Sequence, residues 1–350
     1  MCGLSSVNVW FTTSGLLKLA ALTWNGLVYL FPDDLDARLD AWVWPGGRPS
    51  IFSHWTTHGV IPVQCHSHND YWRDVPLYSA LQAGCIGVEA DIWLSNNDLL
   101  VGHTPFTLHP EVTLRSLYLS PLLELLQKHN TRTSQLQPAN RDNASPAGVF
   151  ANDPGQSLVL LIDFKAEGEA LWPRVVDELQ PLREGGYLTH FNGSSIVERP
   201  LTIVVTGDAP FHRVVANRTY RDIFYDAPLD RLAEFPSPGL ETAGAAVAAA
   251  ADVDYTRMNS HYASVNFRKS VGSLAGNRFS VDQLALIRSQ IHEAHARGLK
   301  VRYWGTPGWP RGLRNHVWHV LVREGVDLIN VDDLEEATRQ DWRKHRSWLF

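Results

Sequence analysis

From Val60 onward, short apolar runs alternate with longer amphipathic stretches, and this alternation constrains the fold more than any other property of the chain. The apolar runs are Ile61–Cys65, Ile86–Ile92, Leu158–Phe164, Leu201–Thr206, Ile223–Tyr225, Lys300–Trp304 and Val326–Val331. Runs this short and this apolar read as strands buried on both faces. The stretches Leu77–Ala83, Leu114–Lys128, Glu167–Leu182, Val281–Arg297, Leu313–Arg323 and Leu334–Lys344 carry helical spacing. A strand–helix alternation implies a parallel sheet with covering helices. Seven strands are clear and an eighth is expected near Asp254–Met258, which predicts an α/β fold of the closed (β/α)8 TIM-barrel kind. An open doubly wound sheet is the alternative. The 350 residues suit one barrel with a leading segment. No Gly-rich phosphate loop joins a strand to a helix, which weakens a nucleotide-binding reading.

The barrel is assigned to residues 58–350, after an apolar segment and irregular lead-in over 1–57. Val9–Phe31 is long enough to span a bilayer, but it contains Lys18. A lysine at the membrane centre costs about 2.5–3.5 kcal/mol. Membrane contact through 9–31 and a buried N-terminal helix are therefore both open. The sequons Asn143-Ala-Ser, Asn192-Gly-Ser and Asn217-Arg-Thr fit a secretory route, so a membrane-associated or secretory location is expected. Asn130–Gln156 reads as a polar surface insertion, and Ala243–Ala251 as a small-residue helix. The 31 basic and 37 acidic residues leave a net charge of −6, which argues against a nucleic-acid partner. Cys65 falls at the end of strand one and Cys85 before the start of strand two. In a parallel pair those are opposite ends, so free buried thiols are expected rather than a disulfide.

In parallel barrels chemistry gathers at the C-terminal strand ends, and the polar residues fall there. Strand one runs into Cys65-His66-Ser67-His68-Asn69-Asp70-Tyr71, and strand two carries Glu89 and Asp91. Leu99-Leu100-Val101-Gly102 then delivers His103, while strand three ends in Asp163-Phe164-Lys165. Glu89 and Asp91 are two residues apart and so share one face of a strand. Buried carboxylates that close repel unless a cation lies between them. A hard divalent cation with oxygen ligands resolves this, with Asp163 as a third carboxylate. His66 and His103 suit the deprotonation of a nucleophile and the protonation of a leaving oxygen.

The string from Cys65 to Tyr71, the segment Gly87-Val88-Glu89-Ala90-Asp91-Ile92-Trp93 and the run Leu99–His103 resemble the fungal altered inheritance of mitochondria protein 6 family. That family belongs to the phospholipase-C-like phosphodiesterases, with glycerophosphodiester phosphodiesterases and sphingomyelinase D enzymes as wider relatives. The resemblance runs from about Pro62 to Asp333. It implies a barrel with one divalent ion, Mg²⁺ foremost and Ca²⁺ as the alternative. Glu89, Asp91 and Asp163 match the metal ligands, and His66 and His103 match the catalytic histidines. Lys165 resembles a lysine that approaches the phosphate, and Trp304 resembles an aromatic that shapes the pocket. Asn69, Asn330 and Asp332 are the further substrate-contact candidates. The first motif departs from the His-Arg-Gly of the glycerophosphodiesterases, which puts that substrate in question.

The expected function is therefore metal-dependent hydrolysis of a phosphoric diester, of phospholipid or glycerophosphodiester type, by two-histidine acid–base catalysis. Two other readings stand beside it. One is an amidohydrolase-like metal site opened by His66 and His68 with Asp332. The other is a barrel that binds phosphate or lipid without turnover.

Overall fold

A computed structural model describes Thr57 and residues 59–136, 145–234 and 254–339. The apolar segment 9–31, the helix expected at Ala243–Ala251 and the sequon at Asn143 lie outside the described residues, as does most of the lead-in.

Eight parallel strands form the barrel: β1 (Val63–Ser67), β2 (Cys85–Ser95), β3 (Leu158–Phe164), β4 (Leu201–Gly207), β5 (Ile223–Pro228), β6 (Ser260–Asn266), β7 (Lys300–Trp304) and β8 (Leu328–Val331). Each pairs with its sequence neighbours, and β1 pairs with both β2 and β8, which closes the ring. The expected TIM barrel is the fold observed. Strand β3 shows why these runs behave as they do. Leu158, Leu160 and Ile162 alternate with Val159, Leu161 and Asp163, and all but Asp163 are buried. One set faces the interior and the other meets the surrounding helices, so both faces must be apolar. Full burial of one such leucine stabilises the fold by about 1.5–3 kcal/mol.

The outer layer is built from helices such as α1 (Tyr78–Ala83), α2 (Ser120–Leu136), α3 (Gly168–Glu178), α4 (Val281–Ala296) and α5 (Arg311–Glu324). Ser280 caps α4 by accepting from Gln283 N–H, and the Gln283 side chain returns the bond to Ser280, a reciprocal capping box. Ile287 and Ile291 of α4 and Val317 and Leu321 of α5 pack on Val301, Tyr303, Ala263 and Val265 of the sheet. The helix expected over Leu114–Lys128 opens with a π turn at Arg115–Leu119 and then continues as α2, further into the polar insertion than the sequence suggested.

Two expectations are corrected. The eighth strand is Ser260–Asn266 and not Asp254–Met258. Met258 lies instead in a turn closed by Asn259 N–H and Ser260 N–H on the Thr256 carbonyl. Cys65 and Cys85 form a disulfide, with their Cα atoms 4.7 Å apart. Strand β1 continues to Ser67, so Cys65 is not at its end. Val63 pairs with Cys85 and His66 with Gly87, three steps on β1 against two on β2. That bulge brings Cys65 down beside Cys85.

Candidate active site

The C-terminal strand ends converge on one cluster. Strand β2 turns at Asn96 and Asn97, both with positive φ, and returns as an antiparallel strand Asp98–Val101. Asparagine tolerates this left-handed geometry, which two-residue hairpins demand. Gly102 N–H then donates to the Asp91 carbonyl, and Trp93 Nε1–H donates to the Gly102 carbonyl over 2.7 Å. The hairpin thereby sets His103 beside Asp91, with Nδ1 3.2 Å from Asp91 Oδ2. The Trp72 ring packs against His103 at 5.1 Å between centroids.

Glu89, Asp91 and Asp163 each offer an oxygen within 4.8 Å of the others. Asp91 and Asp163 are cross-strand partners. Three donors crowd one oxygen of Asp91: Tyr71 Oη at 2.7 Å, Lys165 Nζ at 2.8 Å and His103 Nδ1 at 3.2 Å, all to Oδ2. The other oxygen, Oδ1, is buried with no hydrogen-bond partner, as is Glu89 Oε2. Lys165 also bonds Asp163 Oδ2 at 2.6 Å. Burial, followed by the repulsion of Asp91 and Asp163, pushes the Glu89 carboxyl above its ordinary range, against the opposing pull of Arg302 and His68. Burial likewise raises Asp163 despite Lys165. Burial would lower the Lys165 ammonium, but Asp163 and Asp91 outweigh it and hold the pKa raised. The oxygen donors, their spacing and the unpaired buried oxygens fit a hard cation, whose bonds to oxygen run about 2.0–2.6 Å.

His66 is fully buried, and neither ring nitrogen has a hydrogen-bond partner. Its Nε2 lies 3.8 Å from Glu89 Oε2, and the Tyr262 ring meets it edge-on at 5.8 Å. Burial, then the charges of Arg302 and His68, lower its pKa well below the usual imidazole value. Gly87 makes its seat: a Cβ there would stand 2.3 Å from His66 Nδ1. Gly207 does the same for Asp163, since a Cβ would come within 2.0 Å of Oδ1, and its φ of +70° favours glycine as well.

The remaining sequence candidates divide. Trp304 ends β7 and is 37% exposed. Asn69 is buried with φ 46°, and its Oδ1 lies 2.8 Å from Tyr71 Oη. Asn330 is buried, and its Oδ1 accepts from Arg302 Nη1 at 2.9 Å, so that oxygen is committed to the protein. Asp332 Oδ1 bonds His68 Nδ1 at 2.8 Å. Burial would lower the His68 pKa, but the bond to Asp332 and the charge of Glu89 outweigh it and leave it raised. Among the described residues, the group of three or more candidate metal ligands is Glu89, Asp91 and Asp163, which contains no histidine, so the amidohydrolase-like reading gains no support.

Sequence reasoning missed two residues. Arg302 is 3% exposed and reaches from β7 across the interior to Glu89 at 3.6 Å, Asp226 at 3.2 Å, Ser264 at 3.1 Å and Asn330. A charge inside an apolar strand, two residues before Trp304 on the same face, was the available signal. Tyr71 stands inside the first motif, where nothing in the sequence alone points to its contact with Asp91. Burial, then the charge of Asp91, holds its hydroxyl protonated far above the usual phenol range.

Fold and site together define an α/β-barrel protein with a carboxylate-and-histidine centre at the C-terminal mouth. The model of the AIM6-like phosphodiesterase domain matches residues 54–226, which hold both histidines, the three carboxylates and Lys165. The chain is 41% identical to an altered inheritance of mitochondria protein 6 homolog of Arthroderma benhamiae, over 80% of this chain and 84% of that protein. It is 36% identical to the Lachancea thermotolerans protein of that name, over 83% and 68% of the two chains. The Saccharomyces cerevisiae protein is 34% identical over 80% and 71%. The chain belongs to the altered inheritance of mitochondria protein 6 family and carries its phosphodiesterase domain.

Proposed function

We propose that the protein is a metal-dependent phosphodiesterase that cleaves phospholipid-type substrates or glycerophosphodiesters by two-histidine acid–base catalysis. The observation that carries this reading is the division of labour on Asp91. One oxygen takes three donors, and the other is buried with no hydrogen-bond partner. Glu89, Asp91 and Asp163 would hold one divalent cation, Mg²⁺ by preference and Ca²⁺ as the alternative, in keeping with an all-oxygen donor set. Such a cation supplies Lewis-acid polarisation of a phosphoryl oxygen. Lys165 adds positive charge to the same phosphate. His103, with Nδ1–H on Asp91, keeps Nε2 for proton transfer, and His66 keeps both ring nitrogens unpaired. Between them they deprotonate the attacking hydroxyl and protonate the departing alcohol.

The mouth favours a phospholipid. Trp72, Phe106, Trp304 and Trp309 are 61%, 98%, 37% and 56% exposed, at the C-terminal ends of strands or on the segments that follow them. Aromatic side chains suit the water–lipid boundary. Among the described residues no helix is long and apolar enough to cross a membrane. A secretory or membrane-associated route accords with the Cys65–Cys85 disulfide, since such bonds persist in oxidising compartments. The sequon residues Asn192 and Asn217 are both exposed.

The test is a panel of glycerophosphodiesters, lysophospholipids and sphingomyelin, the lipids presented in vesicles with Mg²⁺. The expected result is release of the alcohol or head group from a lipid, lost in His66→Ala and in His103→Ala. Phosphate-competitive binding without turnover across the panel would make the protein a binder instead.

A further inference from the structure

Within the phosphodiesterase reading, we propose that Tyr71 is a positioning residue of the reaction, its hydroxyl fixing the Asp91 carboxylate so that His103 is held by one ring nitrogen and works with the other.

The loop after β1 is built to deliver this hydroxyl. His68 N–H donates to the Val331 carbonyl and ends β1 against β8. Asn69 adopts a left-handed conformation, φ 46° and ψ 47°, and reverses the chain into the single 3-10 turn Asp70–Trp72. Asp70 is fully buried and locks that turn. Its Oδ1 accepts from the Ser67 hydroxyl at 2.7 Å. Its Oδ2 accepts from Leu77 N–H at 2.6 Å and from the Tyr118 hydroxyl at 3.1 Å. Tyr71 is thus carried on a turn fixed from three sides.

Its hydroxyl occupies a junction. Oη is 2.7 Å from Asp91 Oδ2, 2.8 Å from Asn69 Oδ1 and 3.3 Å from His103 Nδ1. A phenol has one proton, and the charged acceptor Asp91 takes it more strongly than a neutral amide oxygen. Tyr71, Lys165 and His103 then share Oδ2, which leaves Oδ1 buried and without a hydrogen-bond partner. Without Tyr71, Lys165 and His103 alone remain bonded to that oxygen. The His103 side chain is 47% exposed, and among the described residues its polar partners are Asp91 and Tyr71 alone. A carboxylate free to turn therefore releases the imidazole with it. A catalytic group misplaced by about 1 Å can cost on the order of 100-fold in rate.

Tyr71→Phe keeps the ring and removes the bond. Three readouts on the full chain decide the matter: kcat and KM on the diester substrate, the melting temperature, and the ¹⁵N signals of the His103 imidazole, assigned by comparison with His103→Ala. The expected result is a fall in kcat of about 10- to 100-fold, KM within about twofold, an unchanged melting temperature, and a His103 that loses its fixed Nδ1–H tautomer. A wild-type kcat or a wild-type tautomer in Tyr71→Phe overturns the proposal. So does a large fall in melting temperature with loss of dispersed imidazole signals, which would make Tyr71 a folding residue. If the wild-type protein turns over no diester, the functional reading fails, while the tautomer still decides the role of Tyr71.

Discussion

Adding one methyl group at Gly87 tests the seat of His66. The Cβ of Gly87→Ala would lie 2.3 Å from His66 Nδ1 and 3.1 Å from Cγ, where ordinary contact begins at 3.4 Å. Gly87 has no left-handed backbone angle, so alanine brings no backbone strain and the steric term stands alone. The imidazole must retreat by about 1 Å, toward Glu89 and the Tyr262 ring that already enclose it. Overpacking of this kind costs about 1–3 kcal/mol of stability, and a displacement of that size about 100-fold in kcat. The assay is a double-mutant cycle with His66→Ala, read by urea denaturation. Removing the ring gives the methyl room, so Gly87→Ala should cost little in the His66→Ala background. The coupling should be on the order of 1–2 kcal/mol. Equal destabilisation in both backgrounds would refute the reasoning, because the methyl would then be striking something other than His66.

The Cys65–Cys85 disulfide closes a loop with a sequence separation of 20, for which the chain-entropy relation gives about 3 kcal/mol. Replacing both cysteines with alanine should lower the urea midpoint accordingly, and an unchanged midpoint would contradict the bond. Burial, with Lys300 and Arg257 nearby, pulls the His261 pKa from 6.5 to about 3. Between those values the unfolded chain binds a proton that the folded one does not. Stability is therefore full above pH 6.5 and falls as the pH drops toward 3, by up to about 1.4 kcal/mol per unit. His261→Asn should flatten that slope by about one proton in urea melts at pH 7 and pH 5, and an identical slope would count against it. Asn192→Gln and Asn217→Gln should each remove one glycan from protein made in a eukaryotic secretory host. A wild-type product insensitive to glycosidase would exclude that route.

What the sequence disclosed follows from which residues must be apolar. Strands β3 and β4 are legible because both faces are buried, and the trio of carboxylates is legible because charge inside such strands is costly. Strand β6 lies beyond the expected Asp254–Met258 because Tyr262 and Ser264 face Arg302 while His261, Ala263 and Val265 face outward. It thus lacks the continuous apolar run used to find its neighbours. The disulfide depended on a bulge in β1, and one extra residue in a ladder leaves no mark in composition. Arg302 and Tyr71 were hidden for another reason. Their charged partners, Asp91 for Tyr71 and Glu89 and Asp226 for Arg302, lie far away in sequence and are brought within reach only by the fold.

A cation held by Glu89, Asp91 and Asp163 is proposed to drive diester hydrolysis. The measurement is the initial rate on bis-p-nitrophenyl phosphate with metal-stripped protein as Mg²⁺ is added back. The expected result is a negligible starting rate that climbs to saturation with Mg²⁺ and stays negligible in Asp91→Asn. A full rate in EDTA, or one that Mg²⁺ leaves unchanged, would contradict it.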